Sequence, residues 1–217
     1  MLYPHLDEVI DYAHKRGIAV SLVTNGTHLT KERIQKWRGK VTCIGISIDS
    51  IDRNTNLKIG RHRQGKTVSI EEWESLAQTV HDCGIELKVN TVVSKLNKDE
   101  NLSSLYQILK PERIKIFCMH LVKGVNDQAT PYAITPQEYE RFLDQHKAFN
   151  AVVVTEAASD MENSYLMIDP ESKLLLNHQG RYTVFGSLQK NTLDTLIHTL
   201  PFDFGKYTAR YTAEVMP

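Results

Sequence analysis

Apolar residues recur at every second position in several short stretches of this chain. Each stretch is followed by one with a period near 3.6, and few folds accept that alternation. Ile18–Thr24, Thr42–Ile48, Ile85–Val92, Arg113–Met119 and Ala151–Thr155 read as strands. Residues 5–16, Thr30–Trp37, Ser69–Cys83, Leu102–Leu109 and a segment from Pro136 to about Phe149 read as helices. Gly17 and Gly84 stand where two of these helices stop. Thr135-Pro136-Gln137-Glu138 supplies a cap, a proline at the first helical position and a glutamate three residues past the cap. Strands and helices in this order predict a parallel sheet or barrel of βα units. The tail breaks the pattern: Ser164–Asp169, a turn over Pro170–Lys173 and Leu174–Asn177 predict an antiparallel hairpin. The chain also opens in a helix, without the strand that a βα unit would place before it.

Composition removes several function classes. Across 217 residues, 26 Lys and Arg balance 26 Asp and Glu, so no bulk charge favours nucleic acid or an anionic membrane. No apolar run approaches the roughly 18 residues of a membrane span. The first ten residues lack a basic start and apolar stretch, which argues against a secretion signal. Cys43, Cys83 and Cys118 are too far apart to form a disulfide framework or a metal motif. A reducing, cytoplasmic setting is the expectation. The nine histidines form no paired metal motif, and the glycines form no phosphate-loop fingerprint. The tryptophans and most tyrosines fall on helical stripes and are expected in the core.

Period two then sorts the strand residues by face. Ile44, Ile46 and Ile48 share the face turned toward the helices, as do Ile85, Leu87 and Val89, and Ile114, Ile116 and Cys118. The other face carries Ala19, Ser21, Val23 and Asn25 from the first strand, and Cys43, Gly45, Ser47 and Asp49 from the second. It also carries Glu86, Lys88 and Asn90, then Arg113, Lys115 and Phe117. A structural barrel core is filled by Val, Ile and Leu. This interior is small-sided on two strands and cationic on two others. Two inward lysines beside a loop bearing Arg61, Arg63 and Lys66 point to a polyphosphate or another multiply charged anion. The bland alternative pairs Lys88 with Glu86 on the same face and Lys115 with some other carboxylate. Tyr165 stands at the start of the terminal hairpin, where core and site roles weigh equally.

The succession LVTNGT, ISIDS, IGRHRQGK, LKVNTVV, ERIKIF and SYLMID, from Leu2 to about Leu176, resembles the viperin-like radical S-adenosylmethionine (SAM) enzymes. The resemblance implies a partial (β/α)6 radical SAM barrel over residues 1–155, its first βα units missing. Residues 156–217 would form a C-terminal extension, with the antiparallel hairpin, packed on the same domain. It implies that Asn25 and Ser47 line the SAM site and that Lys88, Asn90 and Lys115 contact a nucleoside triphosphate. Arg61 is implied in both sites, Arg181 in the triphosphate site, and Tyr165 near the ribose as a proton donor. The implied cofactors are SAM and a [4Fe-4S] cluster. The implied reaction cleaves SAM reductively and abstracts the ribose 4′ hydrogen. Loss of the 3′-hydroxyl as water then leaves a 3′-deoxy-3′,4′-didehydro nucleotide, an antiviral chain terminator. CTP, UTP or GTP is the implied substrate and an external electron donor the partner, with no nucleic acid and no membrane.

Two family motifs are missing. Family members ligate the cluster through a CxxxCxxC loop and hold the SAM amino group with a GGE stretch, and neither occurs here. The expectation is therefore an N-terminally truncated chain, inactive by itself, with an open sheet edge. Two rival readings stand beside it: a radical SAM enzyme with another substrate, and a non-catalytic nucleotide- or SAM-binding fragment.

Overall fold

The computed structural model describes residues 3–156 and 158–215. They form two compact units. The first comprises the residues up to Met119 together with Ile134–Thr155, and the second His120–Ala133 with the residues from Glu156 onward. His120–Ala133 thus joins the second unit, although its position in sequence falls within the barrel segment.

In the first unit, α1 (Leu6–Lys15) precedes β1 (Ser21–Thr24), α2 (Lys31–Lys36) and β2 (Cys43–Ser47). Next come α3 (Arg53–Ile59), α4 (Ile70–Asp82), β3 (Glu86–Val93), α5 (Ser103–Leu109) and β4 (Arg113–Cys118). After the His120–Ala133 segment, α6 (Pro136–Gln145) and β5 (Val153–Glu156) complete it. The five strands lie in chain order in one sheet. β1 to β4 pair in parallel, with Gly45 opposite Lys88 and Asn90 opposite both Ser47 and Lys115. β1 is an edge of that sheet.

The isoleucine face is the core. Ile44, Ile46, Leu87, Val89, Ile114 and Ile116 are fully buried, clustered with Ile34, Trp37, Val80 and Leu105 from the helices. Burial of each such side chain contributes about 1.5–3 kcal/mol, enough to fix which face turns inward. Thr135 with Glu138 closes the capping box that the sequence predicts, and Ser69 with Glu72 closes a second. The Trp37 indole N–H donates to Asp7 at 2.8 Å and ties α1 to α2.

Several elements differ from expectation. β1 starts at Ser21 rather than Ile18, and α6 gives way after Gln145 to a 3-10 turn over Lys147–Phe149. Helix α3 has no apolar stripe to reveal it. The Asp52 carboxylate accepts the Thr55 N–H at 2.6 Å, and Gly60 ends the helix at φ +89°. Only some tyrosines are core: Tyr106 is buried, but Tyr12, Tyr132, Tyr182 and Tyr207 are exposed.

The second unit holds α7 (Ala158–Met161), β6 (Met167–Ile168), β7 (Lys173–His178), β8 (Arg181–Ser187), α8 (Leu193–Ile197) and α9 (Phe204–Val215). β6, β7 and β8 form a separate antiparallel sheet, one strand more than the hairpin expected from sequence. The added strand follows a two-residue turn whose Gln179 and Gly180 both have positive φ, 53° and 69°. Leu174, Leu176 and Leu196 are its buried apolar residues together with Val122.

His146 is a polar exception in the first core. Its ring is buried; Nδ1 meets the Phe142 carbonyl at 2.7 Å and Nε2 accepts the Leu102 N–H at 2.9 Å. That arrangement fixes the neutral tautomer, and burial lowers the ring's pKa from its ordinary value. The neutral form is favoured in the fold, so this contribution is complete above the unfolded value near 6.5. It is lost as pH falls toward the lowered folded value. Urea midpoints at pH 7.5 and pH 5.5 are expected to separate more for the wild type than for His146→Gln. His146→Gln itself is expected to cost about 1–3 kcal/mol at the higher pH, since the Leu102 N–H loses its well-placed acceptor.

Candidate functional site

The strand residues facing away from the isoleucine core build the site. Gly45 is its low point. A Cβ there would lie 2.9 Å from Asn90 Nδ2, 3.0 Å from Lys88 Cε and 3.4 Å from Val23 Cγ2. Lys88 and Asn90 therefore lean over Gly45, and the missing side chain is what admits them. Lys115, opposite Asn90 on the next strand, is 5% exposed, and its ammonium lies 5.3 Å from the centre of the Phe117 ring. Ser47, Lys88, Asn90 and Lys115 thus occupy one face in neighbouring register, as period two predicts.

Charge pairing on this face is uneven. Glu86 interacts with Arg113 across the strand pair, Oε1 to Nη2 at 3.5 Å, and not with Lys88. Among the described residues no carboxylate forms an ion pair with Lys88. The bland reading of that lysine is therefore overturned. Burial pushes the Cys43 thiol up, partly offset by Lys88 nearby, and burial pushes the Cys118 thiol up as well.

A cleft beside this face is lined by Asn25, Ser47, Arg61, Arg63, Lys66 and Trp73 among others. The structure thus brings together Asn25, Ser47 and Arg61. Asn25 is exposed in the turn after β1, where Oδ1 accepts the Thr27 N–H at 3.2 Å and the Thr27 hydroxyl at 3.0 Å. Gly26 next to it has φ +76°, and a Cβ there would strike the Trp73 ring at 2.2 Å. Arg61 is anchored: its Nε donates to Asp49 Oδ2 at 2.5 Å, and Asp49 is 2% exposed. From sequence, Asp49 counts only as a short inward residue. Its role as the partner of Arg61 rests on a loop closure that periodicity does not register. Tyr165 and Arg181 belong to the second unit, Tyr165 half-buried ahead of β6 and Arg181 exposed at the start of β8.

A larger cavity of about 590 Å³ opens nearby between the α2 and α4 sides, lined by Lys31, Arg63, Lys66, Leu29 and Leu76 among others. It contains none of the inward strand residues. Among the described residues no group of three His, Cys, Asp or Glu is placed to hold a metal ion. Cys43, Cys83 and Cys118 lie on β2, after α4 and on β4, and two of the thiols are pushed away from the thiolate that ligates iron. These cysteines do not fit a [4Fe-4S] cluster.

Residues 1–109 match the sequence model of the radical SAM superfamily. A protein of Flammeovirga pacifica called S-adenosylmethionine-dependent nucleotide dehydratase is 30% identical over 210 residues, covering 96% of this chain and 72% of its own length. The chain belongs to the viperin-like family of radical SAM proteins. A protein of the same name from Lacinutrix mariniflava is 32% identical over 212 residues, and there the chain spans only 44% of the relative's length. Among solved structures, anSMEcpe with bound AdoMet has a TM-score of 0.62 at 14% identity, covering 95% of this chain and 61% of that one. That likeness places the chain in the radical SAM fold: a parallel α/β sheet, here with a separate antiparallel sheet near its C-terminus.

Gly45 provides a test of the site's geometry. Gly45→Ala meets the ends of the Lys88 and Asn90 side chains closely and Val23 at ordinary contact distance, so the melting temperature is expected to change by no more than a few degrees. Displacement of both groups is expected to weaken nucleoside triphosphate binding by about tenfold, the effect of one hydrogen bond to a charged group. Calorimetric titration and a thermal melt of the same preparation check both halves.

Proposed function

We propose that this chain is the nucleotide- and SAM-binding part of a viperin-like nucleotide dehydratase. The enzyme would convert a nucleoside triphosphate (CTP, UTP or GTP) to its 3′-deoxy-3′,4′-didehydro form. The observation that carries the reading is that Lys88 leans with Asn90 over Gly45, while its same-face neighbour Glu86 is engaged by Arg113. The half-buried Lys88 ammonium has no carboxylate partner among the described residues, which is costly unless an anion completes it. A triphosphate presents several anionic oxygens to cations on adjacent strands.

In this reading Lys88 and Lys115 neutralise phosphate charge, and Asn90, held at 7% exposure between them, fixes the nucleotide's register. Asn25, Ser47 and Arg61 hold SAM in the adjoining cleft. Assignment of Arg181 to the triphosphate and of Tyr165 to a proton near the ribose rests on the family resemblance alone. The cysteines of this chain do not hold the cluster, so the electron from an external donor would reach SAM through ligands other than these. The free cysteines favour a cytoplasmic setting. No helix of the described residues is long and apolar enough to cross a membrane.

The test is a titration of the 217-residue chain with CTP, UTP, GTP and the matching nucleosides. Triphosphates are expected to bind, more weakly as salt rises, and nucleosides much less. Lys88→Ala is expected to weaken triphosphate binding by about 10- to 100-fold, the value of a charge-assisted contact. Lys58→Ala, on the exposed side of α3, is expected to leave it unchanged. Equal affinity for nucleoside and triphosphate, or no effect of Lys88→Ala, would refute the assignment. Mass analysis of nucleotide products from a form that carries a three-cysteine loop tests the reaction itself.

A further inference from the structure

The segment from Asp49 to Arg61 closes on itself through three hydrogen bonds. Asn56, 9% exposed, donates from Nδ2 to the Ser50 carbonyl at 2.8 Å. The Asn56 carbonyl accepts the Arg61 backbone N–H at 2.8 Å. The Arg61 side chain then returns to the start of the segment, donating from Nε to Asp49 Oδ2 at 2.5 Å. Asp49 is itself pinned to the sheet: its other oxygen accepts the Val92 N–H at 2.8 Å, and its carbonyl accepts from Asn97 Nδ2 at 2.6 Å. A carboxylate 2% exposed with both oxygens committed is rigid.

We infer that Asp49 is a positioning residue, which holds the Arg61 guanidinium by its Nε edge and so presents the remaining N–H groups to the cleft shared with Asn25 and Ser47. The inference rests on the reading of that cleft as the SAM site. Arginine has five N–H donors in a fixed plane, so a carboxylate on Nε sets the direction of the other four. The pairing also compensates the arginine's charge.

The test combines a ligand-free measurement with a binding cycle, both on the 217-residue chain. Asp49→Asn keeps an oxygen for the Val92 N–H, and protection of the Val92 amide from exchange reports whether the sheet is intact. ¹⁵N relaxation of the Arg61 Nε–H is expected to show a rigid group in the wild type and a mobile one in Asp49→Asn. SAM affinity is expected to fall by about tenfold in Asp49→Asn, the effect of misplacing one charge-assisted contact. That loss should vanish in an Arg61→Gln background, while CTP affinity moves little in either. An Arg61 Nε–H that stays rigid in Asp49→Asn would overturn the inference. So would a SAM loss of equal size in the Arg61→Gln background, which would mean Asp49 acts elsewhere. Arg61→Gln without effect on SAM would instead sink the assignment of the cleft, and the relaxation measurement would still decide whether Asp49 holds Arg61.

Discussion

Burial of the isoleucine face of β2, β3 and β4 is the constraint on which the rest of the first unit depends. Ile44, Ile46, Leu87, Val89, Ile114 and Ile116 have no exposure, and none can leave the helix layer without opening a cavity of several kcal/mol. Because side chains alternate along a strand, the intervening residues are forced onto the opposite face. Gly45, Lys88, Asn90 and Lys115 gather there as a consequence of apolar packing behind them. A one-residue slip in register would bury the lysines in the core, so the hydrophobic pattern also protects the site.

Electrostatics then sets Lys88 apart from Arg113 and Arg61. Arg113 has Glu86 and Arg61 has Asp49, both arginines paired with carboxylates from the sheet. Lysine is better suited to a flexible phosphate chain, because its compact, mobile point charge adapts to the oxygens it meets, while arginine's planar fork serves fixed contacts. The sheet therefore offers Lys88 over Gly45 to an anion, beside a cleft at Ser47 that Arg61, Arg63 and Lys66 line. In the proposed reading the first takes the triphosphate and the second takes SAM.

Most of this face was legible in the sequence because period two acts on every strand residue at once. The capping box at Thr135 was legible as well, because its signal is local. What sequence did not disclose depends on contacts between distant residues. Glu86 prefers Arg113 on the neighbouring strand to Lys88 on its own, a choice set by strand register. Asp49 meets Arg61 only because α3 folds the intervening loop back, and α3 is too polar to announce itself. β8 was missed although Gln179-Gly180 marks its turn, because a two-residue turn with positive φ at both positions is unusual when its first residue is glutamine.

Backbone NMR of the 217-residue chain titrated with CTP tests the central claim most directly. The claim is that the triphosphate lies on the sheet face over Gly45 and not in the larger cavity lined by Lys31, Arg63 and Lys66. The amides of Gly45, Lys88, Asn90 and Lys115 are expected to shift with a common saturation curve, while those of Lys31 and Leu76 stay in place. Shifts confined to Lys31, Arg63, Lys66 and Leu76, with Gly45 and Asn90 unmoved, would contradict it.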